Sequence, residues 1–293
     1  MDLAGLLFDP FSFAFMRLGL AAALMVGVVC AVMGSFVVLK GLAFIGDAVS
    51  HAALPGLVVA YLVGAPLYLG AGVAAVATAL AIGAVSRRGG LRFDTAVGVL
   101  FAGTFALGIV LFSTIRGYTT DLLSYLLGYV LGIGPGDLVQ VAILGGLVLG
   151  TVLVLRKELL FATFDPAGAA ASGLPVAFLE YLLLGLLGVT IVISIQAVGI
   201  ILVVAMLVTP PATAQLLVVR FNRMITLAAA IAAISAVVGL YLSFYLNVAS
   251  GAAIVLVETL AFLVALLLGP RTGFRRRRAA ADPSVITRPS SVP

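Results

Sequence analysis

Residues 46–56 read GDAVSHAALPG inside a stretch that is otherwise almost entirely apolar. His51 is the only histidine among 293 residues, and Asp47 stands four positions before it. In a helix that spacing puts both side chains on one face, one above the other. A carboxylate and an imidazole are ligands for divalent transition metals. They are equally able to pair with each other as a structural salt bridge, and spacing alone leaves both readings open. Ionisable side chains are expensive in a bilayer and therefore face a protein interior or a water-filled path. Two ligands are too few to hold a metal, whereas a twofold dimer brings two Asp and two His together. Pro55-Gly56 then predicts an interruption of the helix, a pattern that exposes backbone carbonyls beside transport sites.

Other chemistry is missing. The sequence has no HExxH, no cysteine cluster and no GxSxG motif. Its only lysines, Lys40 and Lys157, follow no phosphate-binding glycine loop, so no Walker A motif is present. The chain is expected not to be an enzyme and to carry no permanently bound cofactor. Glu258, Gln196 and the prolines of Thr209-Pro210-Pro211-Ala212-Thr213 are expected to serve packing, and the two prolines to kink their helix.

The elements that position these residues follow from composition. The chain is 63% hydrophobic and 9% charged, with a mean hydropathy of +1.31, against about 25% charged residues in a soluble domain. Apolar runs of about 20 residues recur, so the expected fold is an all-α polytopic membrane protein. Nine spans are expected, near 18–39, 42–63, 67–86, 94–115, 137–155, 178–196, 197–219, 225–246 and 252–269, with an eight-span arrangement as the alternative. The stretch DLLSYLLGYVLGI (121–133) is too short to cross and is read as a short re-entrant or surface helix. Cys30, within the first span, has no partner cysteine.

Basic residues set the orientation. With the C-terminus inside, Lys40, Arg87, Arg88, Arg92, Arg156, Lys157, Arg220 and Arg223 fall on the cytoplasmic side, and Arg17 and Arg116 on the other. The positive charge thus reports topology, not nucleic-acid binding. Residues 1–272 form the transmembrane domain. Residues 273–293, with four consecutive arginines at Arg275–Arg278, read as a disordered basic cytoplasmic tail that anchors the last span. The connection 156–177 is long. Asp165-Pro166 is a helix-start signal, and Gly173 is a stop. A short helix is therefore displayed on the cytoplasmic face.

GLAFIGDAVSHAALPGLVVAYLVG (41–64) closely resembles the signature segment of the zinc/manganese/iron chelate permeases, the ABC-3 family of ABC importers. Residues 93–111, 121–133 and 198–217 are similar to further family segments, and the resemblance runs over roughly residues 10–269. It implies a type II importer-like helical bundle acting as a homodimer in a bacterial cytoplasmic membrane. Two cytoplasmic ATP-binding subunits would drive it and an extracytoplasmic solute-binding protein would supply a divalent metal (zinc, manganese or iron). It also implies that Asp47 and His51 line the metal path and that Phe164, Asp165, Pro166, Ala167 and Gly168 belong to the helix that docks on the ATPase. The family often carries an acidic or polar residue where Ala167 stands. An ATP-independent, proton-coupled metal transporter is the alternative.

The topology is directly testable. Three arginines in the loop 87–92 resist translocation. A cysteine at Gly89 or Gly90, in a Cys30→Ala background, is expected to stay unlabelled by an impermeant thiol reagent on intact cells. Ready labelling would reverse the orientation.

Overall fold

A computed structural model of the chain describes residues 9–115 and 132–268. The expected helix at 121–133 falls almost wholly outside these residues, and the tail 273–293 wholly outside. Among the described residues the regular structure is helical, in the order α1 (Ala14–Leu39), α2 (Ile45–Val63), α3 (Leu67–Gly89), α4 (Phe93–Ser113), α5 (Pro135–Val154), α6 (Arg156–Phe164), α7 (Pro166–Ala171), α8 (Val176–Val198), α9 (Ile200–Leu217), α10 (Phe221–Leu246) and α11 (Ser250–Leu268). Nine of them, all except α6 and α7, are long and apolar enough to cross a membrane. This supports the nine-span expectation over the eight-span one. Helices are required because a lipid-embedded backbone must satisfy its own hydrogen bonds.

Two groups of helices share one bridge. α2 packs against α3 and α4, while α1 packs against α9 and α10, and α11 covers those two. α8 packs against α3, α5 and α1, and so joins the groups. The core runs along α1, α2 and α8, where Phe36, Met33, Ile45, Leu57, Leu187, Ile191 and Ile195 are almost fully buried. α4, α5 and α11 turn most of their surface outward.

Pro55-Gly56 does not break the helix, contrary to the sequence expectation. α2 is continuous from Ile45 to Val63 with Pro55 inside it. A proline removes one helical bond, and packing by neighbouring helices makes that tolerable in a membrane bundle. Gly56 has a different task. A Cβ there would collide with the carbonyl oxygen of Gly70 in α3, and a Cβ at Gly70 would collide with that of Gly56. The two backbones meet where only hydrogen fits, as small-residue contacts allow in membranes.

Pro210 and Pro211 likewise lie inside an unbroken α9. Pro211 has no N–H to offer the carbonyl of Leu207, four residues earlier. That carbonyl oxygen lies against Gly34 of α1, where a Cβ would overlap it, and a Cα–H can face it instead.

These contacts give a packing test. Gly34→Ala and Gly56→Ala each press a methyl group onto a backbone carbonyl, and overpacking of this kind costs about 1–3 kcal/mol. Both are expected to lower the Tm of the detergent-solubilised protein. Gly150→Ala, where nothing lies within 4 Å, is expected to leave it unchanged or raise it slightly. Equal Tm values across the three would refute the close-packing account.

Candidate functional site

α2 brings Asp47 and His51 together. His51 Nε2 lies 3.5 Å from Asp47 Oδ1, with the side chains 32% and 48% exposed respectively. That separation is long for a hydrogen bond. It matches the span between two ligands of a shared ion, because atoms each about 2.1 Å from a tetrahedral metal stand about 3.4 Å apart. Asp47 occupies the first turn of α2, where the positive end of the helix dipole favours an anion. The sequence count started this span at residue 42 and so set the pair deeper. With α2 starting at Ile45, Asp47 lies only about 3 Å and His51 about 9 Å along the axis.

Two phenylalanines of α4 hold the imidazole edge-on. Its centroid is 5.7 Å from the Phe101 ring and 5.3 Å from that of Phe105, and these two rings stack on each other. Sequence reasoning missed them, although their i, i+4 spacing was visible. Pro55 has no N–H to offer the carbonyl of His51, four residues earlier. Among the described residues no group of three or more His, Cys, Asp or Glu side chains could hold an ion. One chain therefore brings two such groups together, on a face that is open in the single chain.

The other polar positions separate into distinct roles. Gln196 Nε2 donates to Asp137 Oδ1 at 2.9 Å, and the backbone N–H of Gly134 donates to Asp137 Oδ2. This pairing closes the start of α5 onto α8. Glu258 in α11 is fully buried, and neither carboxyl oxygen has a hydrogen-bond partner. Glu180, unremarked in the sequence, accepts from Lys40 Nζ at 3.2 Å and from Arg87 Nη1 at 2.8 Å.

The connection after α5 folds as its residues dictate. α6 and α7 are separated by Asp165, whose Oδ1 accepts from the N–H of Gly168 at 2.9 Å, with Pro166 in the first turn. Gly173, at φ +83°, closes α7. Its N–H reaches the carbonyl of Ala170 and that of Leu174 reaches Ala169, the paired bonds of a Schellman stop. Phe164, Asp165, Pro166 and Ala167 are exposed, Gly168 is half-buried, and Ala169 is buried. An apolar Phe164, 63% exposed, beside a capped helix gives this end of the bundle a presented edge.

The family model described as the ABC 3 transport family matches residues 12–269. The chain belongs to that family. This ABC 3 member is 46% identical over 266 residues, 91% of each chain, to the manganese transport system membrane protein MntC of Halalkalibacterium halodurans. It is 40% identical, over 99% of each chain, to the chelated iron transport system membrane protein YfeD of Yersinia pestis. Its fold matches PsaBC from Streptococcus pneumoniae, solved in complex with Fab, with a TM-score of 0.81 and 34% identity over 94% of this chain and all of that one. It is a multi-pass membrane permease of the ABC transporter type.

The cap of α7 makes a local prediction. Loss of a side-chain N-cap costs about 1 kcal/mol, so Asp165→Ala is expected to speed amide exchange across 166–171 about fivefold. Exchange in α8 should not change. Hydrogen-exchange mass spectrometry reads both segments, and unchanged protection in 166–171 would show that the cap does not hold α7.

Proposed function

We propose that this chain is the transmembrane permease subunit of an ATP-driven importer of a divalent transition metal, resident in a bacterial cytoplasmic membrane. The observation that carries the reading is the Asp47–His51 pair, spaced for a shared ion on an open face of a membrane helix. Relatives named for manganese and for chelated iron transport support it. Carboxylate with imidazole suits manganese and iron, and zinc as well. Selectivity then rests on geometry and on the metal delivered.

Two copies of the chain form a homodimer, and each contributes Asp47 and His51 to a common site between them. An extracytoplasmic solute-binding protein delivers the ion. Two cytoplasmic ABC subunits dock at Phe164, Asp165, Pro166, Ala167 and Gly168 and hydrolyse ATP, so the permease itself performs no covalent chemistry. Residues 156–177 form the coupling loop, within a permease domain of residues 1–272, and residues 273–293 are a basic cytoplasmic tail. Closure of the ATPases moves the coupling helices, and access to the ion alternates between the two faces. The ion is cargo, so the site must release it, and few ligands per chain favour release.

The test is uptake of radiolabelled manganese or iron by cells carrying His51→Ala, Asp47→Asn or both, with membrane abundance measured alongside. Each variant is expected to reach the membrane in parental amount and to lose uptake at least about tenfold. A purely structural pair predicts near-normal uptake by all three variants, because a half-exposed pair contributes only about 0–1 kcal/mol. Normal uptake by the double variant would overturn the metal-path reading. Uptake independent of any ATPase would replace it with a proton-coupled carrier.

A further inference from the structure

The carboxylate of Glu180 ties together three helices at the end of the bundle that bears α7. It sits in the second turn of α8 and is only 15% exposed. Lys40, which closes the C-terminus of α1, binds one of its oxygens, and Arg87, in the last turn of α3, binds the other. All of the carboxylate's charge-assisted bonds thus go to other helices. Isolated surface ion pairs contribute little, but a shielded carboxylate shared by two cations is better placed.

The three side chains border a cavity of about 90 Å³ whose wall also includes Leu159 and Thr163 of α6 and Pro166, the first residue of α7. The volume is enough for a few water molecules, so the ion pairs can break and re-form without full loss of solvation. On one side, therefore, the network borders the same cavity as the base of the short helix displayed for docking. On the other it reaches α2 by two routes. Lys40 lies five residues before α2 begins. Arg87 ends α3, which is locked onto α2 by the backbone contact of Gly56 with Gly70. The helix reached by both routes is the one that carries Asp47 and His51.

We propose that Glu180 is the positioning residue that couples movement of α7 to α2, and so sets whether a docked ATPase stroke moves the metal site. The role rests on the functional reading above. Without Glu180, α6 and α7 remain packed on α8, with Leu159 and Ala162 of α6 and Ala169 of α7 buried, so docking survives. What is lost is the connection from α8 to the ends of α1 and α3.

The experiment uses the full permease assembled with its ATPase in proteoliposomes, with Mn²⁺ and the binding protein supplied, and reads both ATP hydrolysed and metal transported. Glu180→Gln is expected to keep ATPase association and hydrolysis while metal moved per ATP falls about tenfold, within the usual range of coupling between sites. Glu180→Asp should recover part of the ratio. The exchanged pair, Arg87→Glu with Glu180→Arg, should recover more than Arg87→Glu alone, and it decides the matter if Glu180→Gln does not accumulate. Transport that falls only in step with the amount of assembled protein, with metal per ATP unchanged, would overturn the role of Glu180 and leave the importer reading intact. Parental protein that moves metal without ATP would overturn both.

Discussion

The contact between Gly56 and Gly70 is the constraint on which the working end of this permease depends. Two helix backbones approach until each glycine's missing Cβ is occupied by the other's carbonyl. In lipid there is little hydrophobic drive to pull helices together, so van der Waals packing at close range supplies the adhesion. Because the contact involves backbone on both sides, α2 and α3 are restrained as a pair and a rotamer change cannot release them. Asp47 and His51 are on the N-terminal side of this contact, and Arg87 is at the far end of α3. The face that bears Asp47 and His51 and the ion-pair network are therefore attached to one rigid unit.

The prolines fit the same logic. Pro55 and Pro211 each leave a carbonyl, of His51 and of Leu207, without its helical donor. The Leu207 oxygen is accommodated against Gly34, which lets α9 lie close to α1. The freed His51 carbonyl belongs instead to the residue whose side chain faces Asp47. One sequence device, proline within a span, thus serves packing in α9 and leaves the His51 carbonyl without its helical donor in α2. The difference is made by what stands opposite, since α9 meets a glycine and His51 meets the stacked rings of Phe101 and Phe105.

What the sequence revealed, and what it hid, follows from how local each signal is. The nine apolar spans were legible because length and hydropathy are properties of the segment itself. The Asp47–His51 spacing and the turn of helix between Asp165 and Gly173 were legible for the same reason. Pro55-Gly56 was misread as a break because its purpose lies in Gly70 on another helix. The start of α2 was set too early, since Leu42, Ala43 and Phe44 are apolar enough to read as span while the chain turns there. Glu180 could not be found from spacing, because its partners are 140 and 93 residues away in sequence. A carboxylate soon after the start of a long apolar helix, just beyond a displayed loop, was the available signal.

In the proposed importer, two ligands per chain is also the arrangement that suits alternating access. A cage of four ligands built by one chain would hold its ion whatever the neighbouring helices did. Two ligands on a single helix face gain affinity only when a second copy stands opposite at the right distance, so affinity becomes a function of the relative position of two rigid units. Movement of α2 by a small fraction of a helical turn changes the ligand-to-ligand distance, and metal coordination tolerates only a few tenths of an ångström. The aromatic pair from α4 packs against the imidazole, so under that proposal the ring would stay in place as an ion left. Binding and release can then be set by the positions of helices alone, with no change in the ligands themselves.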